Sequence, residues 1–380
     1  MPFKQMQVRE QRVEFVIWAL RSSQPLSLLC QEFDISRPTG YKWIARYRAG
    51  GVDAIAECSR RPHRSPRQTA PELETKIIAL RQVYPDWGAR KLAVLLARQG
   101  IVLPSSTVHR VLLRHGLVRD EDRHTPAIMR FARERPNELW QMDFKGALQL
   151  GAGSGRERAV PLTLIDDHSR FLVSVHALAD HRLETFWPVI WDVFGEYGLP
   201  QAILTDNENG LFASHGKGVT RWTARLWRLG IRHPRGRPYH PQTQGKVERS
   251  HGTLQLEALA GRLFMSRHEM QQAMDEFRTR YNHVRPHEAL GQLPPITRYA
   301  PSAKPRPKTL PPVQYEAGAD LRTVTQAGYV SVRGCRLHVG EGLAGEHVEV
   351  RDAGEHFSLR YAAFQIRALP WDRLRKGEWL

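Results

Sequence analysis

The chain has 380 residues, 41% of them hydrophobic and 25% charged, a globular balance that sets aside wholesale disorder, collagen-like repeats and a disulfide scaffold. At roughly 100–200 residues per domain it has room for two to four domains. Its 56 Lys and Arg against 39 Asp and Glu leave a net charge of +17, a field that attracts polyanions and makes nucleic acid the leading partner.

Residues 1–136 hold 24 basic and 13 acidic side chains, so the N-terminal third carries most of the excess. Within 8–48, Val13, Phe15, Val16, Ile17 and Leu20, then Leu26, Leu28 and Leu29, recur at helical spacing. Asp34, Ile35 and Ser36 break the pattern before TGYKWIARYR, which places Arg37, Thr39, Lys42 and Arg46 on the exposed side of a last helix. That layout suits a helix-turn-helix entering a major groove, and an ordinary three-helix bundle with a solvated basic face has the same pattern. A helix-turn-helix domain is thus expected at 1–58, a Pro/Arg/Ser linker at 59–71, and a second helix-turn-helix domain at 72–118. In the second, Pro104, Ser105 and Ser106 are expected to open a helix that displays Thr107, His109 and Arg110.

After a linker at 119–136 the texture becomes β-branched and aromatic. ELWQMDFKGALQL, AVPLTLIDDHS and RFLVSVHALAD read as strands, LETFWPVIWDVFGEYG as a helix and AILTDN as a short buried strand. TRWTARLWRLG reads as a helix, about 231–233 as a strand, and KVERSHGTLQLEAL as a helix. This order predicts a mixed sheet with helices on its faces over 137–300. The Pro-rich 301–312 reads as a linker, and 313–380 as a small β-barrel of short strands, for DNA contacts or assembly. Cys30, Cys58 and Cys335 have no C-x-x-C spacing and read as free thiols. With no apolar run of about 18 residues and no charged-then-apolar leader, no membrane partner is expected, and the chain reads as cytoplasmic and nucleoid-associated.

Three carboxylates fall at informative places: Asp143 inside the apolar strand WQMDF, Asp206 at the end of AILTDN, and Glu248 early in KVERSHG. Carboxylates gathered at one sheet edge suit hard divalent cations such as Mg²⁺, and an ionised acid inside an apolar strand is costly unless a cation or donors satisfy it. For Asp206 or Glu248 alone, a solvated strand end or helix face fits equally. Lys246 and Arg249 bring positive charge beside Glu248, suited to phosphate or simply to solvent. Asp166 and Asp167 are rival acids whose place suggests a turn or cap. His168, His240 and His251 lack a cysteine partner and make poor zinc candidates.

WQMDF, LTDNENG and HPQTQGKVERSHGTL resemble the three acidic motifs of bacterial insertion-sequence transposases with a retroviral-integrase-like, D-D-E catalytic core, and YNHVRPHEALGQLPP is similar to the tail that follows that core. The resemblance covers about residues 10–300. It implies a ribonuclease-H-like fold with Asp143, Asp206 and Glu248 as catalytic metal ligands for two Mg²⁺ or Mn²⁺ ions. It also implies binding to double-stranded element ends and target DNA, strand cleavage and strand transfer, and a homo-multimer in the DNA complex. The 41 residues between Asp206 and Glu248 exceed the commonest family spacing, with FASHGKGV as the place for the extra length. Two rival readings are a transposase-derived DNA-binding regulator without activity and a structure-specific nuclease.

Overall fold

The computed structural model describes residues 8–57, 68–118, 132–151, 157–207, 211–213, 218–235 and 245–374. Cys58, His240, most of the expected linkers at 59–71 and 119–136, half of FASHGKGV and most of GAGSGRE and GRPYHPQTQG lie outside those residues. The chain divides into two compact units, Met1–Gln68 and Thr69–Leu380.

The first unit is a helix, turn, helix arrangement of α1 (Val8–Arg21), α2 (Leu26–Glu32) and α3 (Arg37–Gly50). Phe15, Val16, Leu29, Cys30, Trp43 and Ile44 form its core, while Ile17, Leu20 and Leu28 of the same apolar set stay exposed. Ser36 caps α3, its Oγ accepting from Thr39 N at 3.4 Å, and Pro38 sits in the first turn, where its missing N–H has no partner to lose. Gly40 lets α3 cross closely: a Cβ there would lie 2.7 Å from Cys30 Sγ and 2.9 Å from Phe15 Cζ, and a packed interior has no slack for it.

The second unit begins with α4 (Pro71–Val83), α5 (Ala89–Arg98) and α6 (Ser105–Arg114), which bury Ile77, Leu92, Leu96, Val108, Val111 and Leu112 around Trp87. Arg114 and His115 at the end of α6 hold Glu74 of α4, the imidazole Nε2 at 2.9 Å. Pro104 alone stands at the cap of α6, which has no side-chain cap bond; the expected serine cap is replaced by the preset φ of proline.

A mixed sheet follows, as expected. It comprises β1 (Trp140–Phe144), β2 (Leu148–Gln149), β3 (Arg158–Asp166), β4 (Leu172–Leu178) and β5 (Ile203–Leu204). β3 pairs antiparallel with β1, β2 and β4, and β1 pairs parallel with β5. The strand expected at 231–233 reduces to two parallel bridges, Ala202 with Arg232 and Thr205 with Arg235. Four helices flank the sheet, α7 (Leu183–Tyr197), α8 (Arg221–Arg228), α9 (Gly245–Leu254) and α10 (Arg267–His283). Trp140 and Met142 of β1 pack with Phe186 and Ile190 of α7 and Trp222 and Leu226 of α8. Ile165, Leu172 and Val175 pack with Val247 and Leu254 of α9 and Met270 and Phe277 of α10. Each large apolar side chain so buried contributes about 1.5–3 kcal/mol.

Residues 301–312, a linker by composition, are fastened along α7. Ser302 N donates to Tyr197 O at 2.7 Å, Lys304 O accepts from Leu199 N at 2.7 Å, and Arg306 Nη1 donates to Trp191 O at 3.0 Å. Beyond it come β6 (Leu321–Thr323), β7 (Tyr329–Val332), β8 (Cys335–His338), β9 (His347–Asp352), β10 (His356–Tyr361) and β11 (Phe364–Pro370). Instead of the expected closed barrel, the described strands form an open antiparallel sheet in the order β11-β10-β9-β6 and a separate hairpin β7-β8. The reason is a shared core: Val219 and Ala224 are buried with Val330, Leu337, Val348 and Leu359, and Trp227 packs against them. Helix α8 thus covers apolar surface that closure would otherwise hide. Cys30 is a free, buried thiol, as expected, and Cys335 is buried as well.

Candidate active site

Asp143 lies on β1, two residues beyond Gln141, and Asp206 lies two residues beyond Leu204 of β5. Gln141 and Leu204 are partners in the parallel register. Side chains two apart share a face of a strand, so the two acids occupy matching positions past the paired ends of neighbouring strands. Helix α9 packs on β1 and β3 and carries Glu248 exposed in its first turn. Three residues on, His251 is buried with Nδ1 3.5 Å from Asp143 Oδ2. Its Nε2 has no hydrogen-bond partner among the described residues. Burial, with Lys145 adding to it, pushes this imidazole down to about 4, so it is neutral near pH 7.

The strand end that carries Asp206 is tied by a chain of hydroxyls and one imidazole. Thr205 Oγ1 donates to Asp206 O at 3.1 Å and stands 2.9 Å from His233 Nε2. His233 Nδ1 is 2.8 Å from Thr223 Oγ1, and Thr220 Oγ1 accepts from Thr223 N at the start of α8. Burial holds His233 down to about 3, hence neutral. One assignment satisfies every member: Thr223 donates to Nδ1, Nε2–H donates to Thr205, and Thr205 donates onward. The sequence pattern did not single out His233, because its two hydrogen-bond partners, Thr205 and Thr223, come from separate elements.

Asp166 and Asp167 are consumed structurally, as their place in a turn suggested. Asp166 accepts from Asn137 N, Ser169 N and Ser169 Oγ at 2.8, 2.8 and 2.6 Å, while burial raises its pKa. Asp167 accepts from Arg133 N and Gln141 Nε2, each at 2.8 Å, and pairs with the Lys246 ammonium. Lys246, read as suited to phosphate or to solvent, is instead paired inside the fold, and burial lowers it to about 8. Arg249 is exposed beside Glu248. His168 Nδ1 lies 2.8 Å from Arg133 O, a turn contact.

Among the candidate DNA readers, Arg37 and Lys42 are exposed on α3, and the Arg46 guanidinium lies over the Trp43 ring at 5.0 Å. Thr39 is bound into the cap, its Oγ1 2.9 Å from Ser36 Oγ. Tyr41, 62% exposed on the same helix, is a candidate that the charge pattern overlooked. On α6, His109 and Arg110 are exposed, with Arg110 Nη2 donating to Thr107 Oγ1 at 3.3 Å.

The donor chemistry at Asp143, Asp206 and Glu248, carboxylate oxygens beside a neutral imidazole, fits a hard divalent cation. Among the described residues no group of three His, Cys, Asp or Glu side chains stands close enough to hold a metal ion; the register gives two acids matching positions, and the third lies on the helix packed on β1 and β3.

Models of the integrase core domain match residues 133–241 and 229–295. A helix-turn-helix domain matches 11–64 and a homeodomain-like domain 39–112. An insertion element IS476 protein of Xanthomonas euvesicatoria is 27% identical over 237 residues, 60% of this chain and 65% of that one. An insertion element IS407 protein of Burkholderia multivorans is 25% identical over 244 residues, 59% of this chain and 81% of that one. The Gag-Pro-Pol polyprotein of squirrel monkey retrovirus is 32% identical over 119 residues, 31% of this chain and 6% of the polyprotein. The chain thus spans just under two thirds of the first relative and a small part of the polyprotein. Among solved structures, the HTLV-2 integrase catalytic core domain in complex with magnesium covers 44% of this chain and 99% of that one, at 16% identity and TM-score 0.31. A simian T-cell lymphotropic virus intasome chain covers 79% and 98%, at 17% identity and TM-score 0.37.

Proposed function

We propose that this chain, which carries an integrase core domain behind helix-turn-helix domains and has insertion-element proteins among its relatives, is a DNA transposase that cuts and joins the ends of an insertion sequence. The observation that carries the reading is the matched placement of Asp143 on β1 and Asp206 just past β5, at equal offsets from a pair in parallel register, with the helix that bears Glu248 packed on β1 and β3. Asp143, Asp206 and Glu248 would hold Mg²⁺ or Mn²⁺, with two ions as the working count. Bound cations supply activation of the attacking oxygen and charge neutralisation at the leaving oxygen.

The chain's own residues do the rest. In cleavage, water attacks the phosphorus at the element end, the P–O3′ bond breaks, and the leaving 3′-oxygen takes a proton. In joining, that 3′-hydroxyl attacks a target phosphodiester; one P–O bond forms, one breaks, and the target strand is released with a 3′-hydroxyl. His251 orients the Asp143 carboxylate, and the Thr205–His233–Thr223 chain holds the Asp206 strand end. Arg37, Lys42 and Arg46 on α3, and His109 and Arg110 on α6, reach the duplex, and Arg249 lies beside the reacting phosphate. Paired ends require a homo-multimer on DNA. The proposed domains are 1–58, 72–118, 137–300 and 313–380, the last sharing a core with α8 of the one before it. Incubating the full chain with labelled candidate ends, a target plasmid and Mg²⁺ tests the reading by the nicked and joined products it predicts.

A further inference from the structure

The segment YNHVRPHEALGQLPP was marked in the sequence by likeness alone, and the proposed chemistry gives it no task. In the structure its first half is bolted to the turn that follows α9. Arg285 Nε donates to the Glu257 carboxylate at 2.8 Å, Arg280 lies 3.9 Å from it, and that carboxylate is 3% exposed. A charged pair so enclosed holds its geometry, because separating it strands a buried charge. Tyr281 is buried, its hydroxyl 3.2 Å from His287 Nε2.

The same segment grips the second helical domain on its other side. Arg98, at the end of α5, donates to Val284 O at 2.7 Å and to Gln292 O at 3.3 Å, two carbonyls bridged by one guanidinium. Val284 packs against the cluster of Ile77, Leu92 and Val108 that α4, α5 and α6 enclose. Arg90 lies 3.8 Å from Glu288, and Lys91 beside it is half-buried, with desolvation first and Arg285 next lowering its ammonium to about 8. One short segment therefore joins the helix carrying Glu248 to the domain carrying α6.

We infer that residues 280–292 are a seat that fixes α6 relative to the carboxylates, so that the base pairs read by α6 determine which phosphodiester is cut, with Arg98 as the positioning residue of that seat. The inference rests on the reading of the chain as an end-cutting enzyme. A tethered reader would tolerate several registers, whereas a seated one presents a single bond.

The test uses the full chain, Arg98→Ala, Arg98→Glu and Arg98→Lys, with end affinity, thermal midpoint and the cleaved bond mapped at single-nucleotide resolution. Arg98 is exposed, so its replacement leaves the core intact. Wild type cuts one bond. Arg98→Ala and Arg98→Glu bind the end within about threefold, yet spread cleavage over neighbouring bonds and slow the original cut by about tenfold or more, as small misplacements of a reacting centre do; Arg98→Lys, which keeps one donor, recovers part of the precision. If Ala and Glu variants cut the wild-type bond at the wild-type rate, or lose end binding and cleavage in the same proportion, the seat is overturned while the function stands. If wild type itself leaves the ends intact with Mg²⁺, the function fails, and the inference with it.

Discussion

Asp143 and Asp206 stand at equal offsets from Gln141 and Leu204, the last registered pair between two parallel strands. Parallel pairing gives neighbouring strands a common direction, so residues at equal offsets emerge at one end of the sheet. Two like charges at one end of a sheet are unfavourable without a cation or donors; His251 stands beside the Asp143 carboxylate, while the Thr205 chain holds the backbone carbonyl of Asp206.

Replacing His251 tests the first support. His251→Ala removes the neutral ring 3.5 Å from the Asp143 carboxylate, and losing such an orienting partner typically costs about 10–100-fold in metal affinity or activity. Single-turnover cleavage falls by that order and the Mg²⁺ concentration for half-maximal rate rises, while end affinity stays at the wild-type value. An unchanged Mg²⁺ requirement would remove His251 from the site.

The second support is read through stability. Thr205→Val keeps the shape of the side chain but strands the His233 Nε2–H donor, and an unsatisfied buried polar group costs about 1–3 kcal/mol. A lower thermal midpoint is expected together with slower cleavage. Thr205→Ser, which keeps the hydroxyl, restores most of both; a loss in the Ser variant with none in the Val variant would mean that the methyl packing matters and the hydrogen bond does not.

Protonation of buried histidine predicts acid sensitivity. Burial, with Arg285 next in effect, holds His287 down to about 3, well below the ordinary 6.5. Above pH 6.5 the folded and unfolded chains both carry it neutral. As pH falls from 6.5 towards 3 only the unfolded chain takes up the proton, so stability falls across that window, by at most about 1.4 kcal/mol per pH unit for one group. Denaturant melts at pH 7 and pH 5 should show the loss, and His287→Gln should reduce it, leaving the share that His233 and His251 contribute.

Charge on the first unit predicts a salt signature. Each phosphate contact adds about −0.9 to the slope of log affinity against log salt. Arg37→Ala or Lys42→Ala in the full chain makes the slope shallower by about one where the residue meets phosphate; where it reads a base, the slope holds and one position of the terminal sequence is relaxed instead, costing about 1–3 kcal/mol of discrimination. A substitution that alters neither slope nor sequence preference removes that residue from the DNA surface.

Much of the fold and the order of the acids was legible because both follow local pattern. Runs of β-branched and aromatic residues marked β1, β3 and β4, helical spacing marked α1 to α6, and Asp143 and Asp206 sit near strand ends. Helix α10 had a usable signal that went unread, since Met270, Ala273, Met274, Phe277 and Tyr281 fall at helical spacing and are all buried. What local pattern cannot carry is the choice of distant partner. Lys246 looked like a phosphate contact by charge, and its partner is Asp167, 79 residues away. The Pro-rich 301–312 looked like a tether by composition, and Arg306 and Ser302 anchor it to α7. The C-terminal strands looked like a barrel, because nothing in their spacing reveals that Val219 and Ala224 of another region complete their core.

The most direct test of the central claim is Mg²⁺-dependent processing of labelled element ends by wild type and by Asp143→Asn, Asp206→Asn and Glu248→Gln. Wild type should release a 3′-hydroxyl at the end and join it to target DNA, with each variant binding the ends within about threefold while losing cleavage by about 1,000-fold or more, the scale expected when the groups that stabilise the transition state are removed. A variant at Asp143 or Asp206 that cleaves and joins at the wild-type rate would contradict the account.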